Sequence, residues 1–171
     1  MNYNREVKAE TISQEKADEF GKKFLEEKGF KNMVETYYLK ESGIVTINYA
    51  YEQDKVTIYP DLVKLKVALD NGEILGIETK GYLNSHEQRT IGEIKISKEK
   101  AKENLNPKLQ IESEKLAIIP TKWQTEILCW EFKGKVDNTD FLVYINASTG
   151  KEEDIFCLLY TSPSPRDRSV S

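Results

Sequence analysis

His86 is the one histidine of the chain, and Glu87 follows it directly. An imidazole near a carboxylate can act as a general base, because its pKa lies close to neutral pH. Nucleophilic catalysis would also need a serine or cysteine beside it, and no spacing in the sequence places one there. We therefore interpret His86 as a hydrogen-bonding or solvated loop histidine.

Carboxylate pairs are the second group of residues that could do chemistry, since two acids can cleave a glycosidic bond. The sequence contains no GxSxG or HExxH motif and no glycine-rich phosphate loop. Most of the clustered acids fall at predicted turns or helix surfaces, where a solvated charge is the usual role. We therefore predict no catalytic residues; the acids considered are Glu26, Glu27, Glu41, Asp61, Asp70, Glu73, Glu152, Glu153 and Asp154.

The two cysteines, Cys129 and Cys157, are the remaining reactive side chains. Cys129 lies in the apolar run Ile127–Trp130, so we interpret it as a small buried apolar residue rather than a reactive thiol. No second cysteine or histidine stands at the spacing that zinc ligands require. We predict no disulfide, no metal site and no cofactor.

Aromatic residues are the best candidates for binding. Tyrosine and tryptophan at the rim of a sheet often anchor protein–protein interfaces, although packing in the core is the alternative for each of them. We expect Trp123 and Tyr59, each close to a proline, to be exposed. Together with polar residues in the predicted turns and connections between modules, they make up the candidate protein-binding set: Tyr59, Asp61, Tyr82, His86, Arg89 and Trp123.

The composition limits the classes of function. The chain has 171 residues, a net charge of -4 and a pI near 5.3. This acidic balance argues against a nucleic-acid binder, which usually carries a basic surface. No apolar run approaches the ~20 residues that span a bilayer, and the polar N-terminal stretch lacks the core of a signal peptide. If the parent protein is exported or anchored, we expect the targeting segment to lie outside this piece.

An internal repeat indicates the architecture. The hexapeptide Ile12–Ala17 recurs in the second half of the chain as Ile96–Ala101, and only one of its positions differs. Each copy begins a helix and precedes strand-like segments. We therefore predict an α+β fold of two tandem modules, each with one N-terminal helix packed on an antiparallel β-sheet. The predicted ranges are 1–11 for a polar lead-in, 12–90 for the first module and 91–156 for the second.

Capping and turn signals place the elements of the first module. Ser13 and Gly29 are the N-terminal and C-terminal signals of a helix over residues 14–28. Tyr59-Pro60-Asp61 is expected to stop a short strand. An alternating strand then leads to Asn71-Gly72, which predicts a type I′ turn with a partner strand over residues 73–82.

The C-terminal tail is set apart from the rest of the chain. Cys157–Asp167 looks like the translation of a transposase end sequence used in preparing DNA libraries. We therefore expect residues 157–171 to be a disordered sequencing artefact and exclude them from the fold.

Two sets of segments carry a resemblance to a known family. The helix opening Ile-Ser-x-Glu-x-Ala and the turn Asn146–Gly150 resemble the PepSY domain family. Further segments are similar, in order, to the C-terminal region of the YpeB family of spore germination proteins. The similarity covers roughly residues 12–156, and these segments are Tyr59–Glu73, Gly81–Leu83 with His86 and Arg89, Ala117–Pro120 and Leu128–Phe132.

The resemblance implies a non-enzymatic role in spore germination, in which the protein binds and stabilises, positions or restrains a cortex-lytic hydrolase of the SleB type. Peptidoglycan is a further expected partner. The implied location is the spore, outside the inner membrane and facing the cortex, with a membrane anchor in an N-terminal segment beyond this chain. Contacts are expected at exposed sheet-face aromatics and in the groove between modules. The alternative is a domain that acts on or binds peptidoglycan itself, as an enzyme or a sensor.

Overall fold

The computed structural model describes residues 5–157, which form three helices and eight strands. In chain order these elements are α1 (Gln14–Glu27), β1 (Met33–Glu41), β2 (Ile44–Gln53), β3 (Val56–Ala68), β4 (Ile74–Glu78), α2 (Lys80–Ser85), α3 (Lys98–Lys102), β5 (Gln110–Pro120), β6 (Glu126–Val136), β7 (Thr139–Asn146) and β8 (Glu152–Cys157). Within the described range, none of the helices is long and apolar enough to cross a membrane.

The chain divides into two compact units. Unit 1 holds the residues up to Gln53 together with Pro60–His86, and unit 2 holds Asp54–Tyr59 together with the residues from Glu87 onward. The division therefore falls inside β3, whose first residues belong to unit 2 and whose remainder belongs to unit 1.

Unit 1 is built around α1. The Ser13 hydroxyl accepts a hydrogen bond from the N–H of Lys16 at 3.1 Å, and Gly29, with φ +91°, ends the helix, so the predicted helix is confirmed. Strands β1 and β2 pair antiparallel, as do β3 and β4. The apolar side chains of α1, among them Ala17, Phe24 and Leu25, recur at helical spacing and therefore pack on this sheet along one face of the helix. The buried cluster is Ala17, Leu25, Met33, Val45, Ile47, Tyr49, Val63, Leu65, Val67 and Leu69.

Unit 2 repeats this plan with a shorter helix. Strands β5 to β8 form an antiparallel meander, and α3 packs on it through Ala101, which is fully buried with Phe132, Val143 and Ile145. The first residues of β3 pair with β5 in parallel, with Thr57 opposite Ala117. The predicted α+β fold with two tandem modules is confirmed, and this parallel pairing is a feature that the sequence pattern did not predict.

The backbone hydrogen bonds repeat as well as the sequence. In each unit two successive N–H groups before the helix donate to one carbonyl in the last hairpin turn, a serine caps the helix, and a glycine N–H closes the turn. The equivalent donor and acceptor pairs are Ile12 to Leu69 (3.0 Å) and Ile96 to Ala147 (2.8 Å), Lys16 to Ser13 and Lys100 to Ser97 (3.1 Å each), and Gly72 to Ala68 (2.8 Å) and Gly150 to Asn146 (2.9 Å).

Three local predictions were wrong. Pro60 lies within β3 instead of ending it, because proline fits extended backbone wherever its missing N–H is not needed. The strand predicted over residues 73–82 ends at Glu78, and residues 80–85 form α2. The turn at Asn71-Gly72 is not type I′: only Gly72 has positive φ, +80°, and the loop between β3 and β4 is longer than a two-residue turn.

The prediction that residues 157–171 are a disordered sequencing artefact concerns mostly residues that the structure does not describe. Residues 158–171 lie outside the described residues, whereas Cys157 is the last residue of β8.

Candidate functional site

Asp61 and His86 form a hydrogen-bonded pair in unit 1. Asp61 lies in β3 with a fully buried side chain, and His86 follows α2 with 30% of its side chain exposed. The distance between Nδ1 of His86 and Oδ2 of Asp61 is 2.8 Å. An ionised carboxylate can only accept, so Nδ1 donates and the ring presents Nε2 as its second polar atom. The pair fixes the orientation of the imidazole.

Aromatic rings enclose this imidazole. Tyr82 stacks on His86 with ring centroids 4.2 Å apart, and Tyr51 meets it edge-on at 4.6 Å. Phe30 contacts the other ring of the stack, with its centroid 4.9 Å from that of Tyr82. Burial first, and the negative charge of Asp61 second, raise the pKa of the Tyr82 phenol, which therefore stays a neutral hydrogen-bond donor. We call Phe30, Tyr51, Asp61, Tyr82 and His86 the histidine cluster.

Tyr59 belongs to a buried polar network in unit 2. Its side chain is only 2% exposed, so the expectation of an exposed Tyr59 was wrong. Its hydroxyl donates to Oε1 of Glu131, which also accepts a 2.7 Å hydrogen bond from Tyr144. Nζ of Lys115 lies 3.6 Å from the other oxygen, Oε2. Because Lys115, Glu131 and Tyr144 are register partners on β5, β6 and β7, the network is a cross-strand row.

Arg89 lies in unit 2, in the segment that precedes α3. Its guanidinium pairs with Glu126, with Nε to Oε1 at 2.8 Å and Nη2 to Oε2 at 2.9 Å. Only 5% of the Arg89 side chain is exposed, against 36% of the Glu126 side chain. A bidentate guanidinium–carboxylate pair is strong and directional, so it holds the segment against the start of β6.

Trp123 is the exposed aromatic that the sequence predicted. It lies at the tip of the β5–β6 hairpin with 76% of its surface exposed. The loop beneath it is built on Thr121, whose Oγ1 accepts the N–H of Trp123 and of Thr125, each at 3.2 Å. Nζ of Lys122 lies 5.2 Å from the centroid of the indole ring. A large ring on a hydrogen-bonded loop loses little entropy on binding, as an interface anchor requires.

The six predicted binding residues therefore separate into three environments. Asp61, Tyr82 and His86 meet in the histidine cluster, Tyr59 is internal, and Arg89 and Trp123 are placed at two points of unit 2. The prediction that these residues lie in turns or connections is correct for His86, Arg89 and Trp123. It is wrong for the other three, which lie in β3 and α2. Their role in binding stays a prediction.

Sequence reasoning missed the partners of these residues. Glu126 and Glu131 hold Arg89 and Tyr59, and nothing local in the sequence links them. The internal repeat does carry one further signal: aligning the two hexapeptides also places Arg5 opposite Arg89. In unit 1, Arg5 pairs with Asp70 and Glu73 at 2.8 Å each, so both units begin with an arginine tied to a carboxylate.

Metal ligands and reactive thiols are the two other groups of side chains that could do chemistry. They contain no group of three or more histidine, cysteine or acidic residues that could hold a metal ion. Cys129 is fully buried, as predicted, and burial raises the pKa of its thiol to about 12, which keeps it protonated at neutral pH.

Comparison with known sequences connects the chain to sporulation proteins. A family model described as "YpeB sporulation, PepSY1 and PepSY2 domains" matches residues 1–92, and a second, "Peptidase propeptide and YPEB domain", matches residues 95–156. The sporulation protein YpeB of Bacillus subtilis is 35% identical over 168 residues, which cover 96% of this chain and 37% of that protein. The YpeB of Halalkalibacterium halodurans is 34% identical, covering 88% of this chain and 34% of that protein. The chain thus spans about a third of the length of these curated relatives.

A solved structure has the same fold. The Bacillus megaterium YpeB C-terminal domain matches with a TM-score of 0.85 and 34% sequence identity. The match covers 93% of this chain and 71% of that one.

Proposed function

The chain belongs to the YpeB family of sporulation proteins, and from that membership we propose that it is a non-enzymatic accessory protein of spore germination. In this proposal it binds a cortex-lytic hydrolase of the SleB type and stabilises, positions or restrains it. The complete protein would be anchored by a segment outside this chain and would face the cortex.

Trp123 is the observation that supports a binding role most directly. Tryptophan is among the residues most enriched at interface hot spots, and Trp123 is 76% exposed. The Thr121 hydrogen bonds hold its loop in one conformation before any partner arrives. We propose Trp123 as the anchor that inserts into a pocket on the hydrolase.

Binding of purified SleB-type hydrolase to the chain tests this proposal. Trp123→Ala should raise the dissociation constant at least about tenfold, because a buried hot-spot tryptophan contributes roughly 2 kcal/mol or more to the free energy of binding. Tyr38→Ala is the matched control, since Tyr38 is also an exposed aromatic, at 44%, but lies on β1. No binding at micromolar concentrations, or equal losses in the two variants, would contradict the proposal.

The histidine cluster favours the second candidate function, an enzyme that acts on peptidoglycan. A buried carboxylate that orients an imidazole is an arrangement used in general base catalysis. Digestion of purified cortex by the chain alone decides this point. The enzymatic alternative requires release of soluble fragments that His86→Ala abolishes, whereas the accessory role predicts no release by either protein.

A further inference from the structure

A cavity of about 650 Å³ that is open to solvent lies in unit 2, within the size range of small-ligand and side-chain pockets. Residues 87–90, 92 and 93 form one wall. Ile118 and Leu128, register partners on β5 and β6, supply an apolar floor. Asn146 and Ser148, at the end of β7 and in the following turn, supply polar groups. The network of Tyr59 and Glu131 does not line this cavity.

The aligned residues of unit 1 contact the last hairpin turn directly. The alignment of the two hexapeptides relates Arg5 and Lys8 to Arg89 and Gly92. In unit 1 the guanidinium of Arg5 binds both carboxylate oxygens of Asp70 at 2.8 Å, and the N–H of Lys8 donates to the same carboxylate at 2.9 Å. The lead-in is thus tied directly to the last hairpin turn.

The substitutions between the repeats remove the carboxylate from this tie in unit 2, while the backbone hydrogen bonds to Ala147 stay. Gly72 and Gly150 close equivalent turns, and aligning the turns on these glycines places Ser148 where Asp70 stands in unit 1. Serine carries no carboxylate, and Arg89 pairs with Glu126. A Cβ built on Gly92 would meet no atom within 4 Å. The wall of the cavity therefore carries no side chain at Gly92, where the aligned residue of unit 1 is Lys8.

The charge on the wall indicates what would enter. Arg89 is the one cation among the described residues that line the cavity, and Glu126 neutralises it. Two exposed carboxylates, Glu87 and Glu93, remain on the same wall. Carboxylates above an apolar floor suit a side chain with an apolar stem and a cationic head. We propose that this cavity binds a lysine or arginine side chain presented by an extended peptide segment of the partner hydrolase; the identity of that partner rests on the function proposed above.

Short peptides test the chemistry of the cavity without the hydrolase. Acetylated pentapeptide amides of alanine with a central lysine, arginine, glutamine or glutamate are titrated into the labelled chain, and backbone amide shifts are followed by NMR. The lysine and arginine peptides should shift the signals of residues 87–93 and of Ser148, and the glutamine and glutamate peptides should not. Shifts of equal size with the glutamate peptide, or no shifts with any peptide, would overturn the proposal.

Two variants locate the binding. Gly92→Trp fills the cavity without a backbone clash and should abolish the shifts, while Glu27→Trp, which places the same side chain on the exposed side of α1, should not. The double variant Glu87→Gln and Glu93→Gln should weaken binding of the lysine peptide about tenfold, with Glu27→Gln as its control. If Gly92→Trp does not fold, the double variant decides, and unchanged affinity in it would overturn the proposal.

The same variants separate this inference from the proposed function. If the hydrolase binds Gly92→Trp as tightly as the parent chain, the cavity is not its contact, although the proposed function stands. If the hydrolase binds neither protein, the proposed function fails, and the peptide titrations alone decide what the cavity holds.

Discussion

At the scale of single residues, the burial of Glu131 is an unfavourable term that unit 2 must offset. A carboxylate that is 5% exposed loses most of its hydration, and it is tolerated only where donors replace the lost water. The two phenols supply those donors, and the ammonium of Lys115 forms an ion pair with the other oxygen at 3.6 Å. Tyr59 is therefore a structural support of unit 2.

Tyr144→Phe should lower the free energy of unfolding by about 1.5–3 kcal/mol, because it removes one hydrogen bond to a charged acceptor without opening a cavity. Chemical denaturation measures the change. Tyr38→Phe, an exposed tyrosine on β1, should change it by less than about 0.5 kcal/mol. Equal changes would show that Glu131 does not depend on the Tyr144 hydroxyl.

Residue contacts are the part of the candidate site that the sequence could not predict. Asp61 and His86 are 25 positions apart, and Tyr59 and Glu131 are 72 apart, so no local spacing relates them. The proximity of a proline gave the right expectation for Trp123, which lies exposed at the tip of a hairpin. Proximity to a proline led to the wrong expectation for Tyr59, since Pro60 continues a strand that buries it.

At the scale of elements, the two final hairpin turns offer a matched comparison. Gly72 and Gly150 have φ values of +80° and +78° and close their turns with equivalent hydrogen bonds. They differ in surroundings: a Cβ on Gly72 would lie 2.6 Å from the ring of Phe20, whereas a Cβ on Gly150 would lie 3.2 Å from the side-chain nitrogen of Asn104.

Gly150→Ala should cost about 1–2 kcal/mol, the penalty of left-handed backbone with a side chain. Gly72→Ala should cost at least about 1 kcal/mol more, because the Phe20 ring must also move. Urea unfolding of both variants gives the difference. Adding Phe20→Leu to Gly72→Ala provides the check. The double variant should lose less free energy of unfolding than the two single variants together, and equal losses would mean that the Phe20 ring does not limit this turn.

Elements with regular periodicity were predictable, and those set by tertiary context were not. α1 follows from apolar residues at helical spacing with capping residues at both ends, and the second half of β3 follows from alternation. α2 is short and none of its residues is buried, so it leaves no periodic signal. The parallel pairing of Thr57 with Ala117 joins segments far apart in the chain, and strand patterns do not specify such partners.

At the scale of the whole molecule, one carboxylate in each unit is stabilised in its charged form. Hydrogen bonds from Arg5 lower the pKa of Asp70 in unit 1, and a hydrogen bond from Lys102 lowers the pKa of Glu114 in unit 2. An acid whose pKa is lower in the folded state takes up protons on unfolding. Its stabilisation is therefore complete above the ordinary values of 3.8 and 4.5 and is lost as the pH falls below them.

We expect the melting temperature to be constant near pH 6 and to fall continuously between about pH 5 and about pH 2. Arg5→Ala should lower the melting temperature at pH 6. It should also make the melting temperature of unit 1 less dependent on pH and leave that of unit 2 unchanged. Both tryptophans, Trp123 and Trp130, belong to unit 2, so their fluorescence reports that unit, while amide signals of β2 report unit 1. An unchanged pH dependence of the β2 signals in Arg5→Ala would contradict this account.

The assignment of Asp54–Tyr59 to unit 2 has a consequence for biosynthesis. These residues leave the ribosome long before β5, the strand that they hydrogen-bond at Ala117 and Ile118. Unit 2 therefore cannot complete its sheet during translation until β5 has emerged. An expression clone that starts at Glu87 would leave that edge of β5 open to intermolecular pairing. The repeat in the sequence therefore does not mark two units that a single cut in the chain would separate.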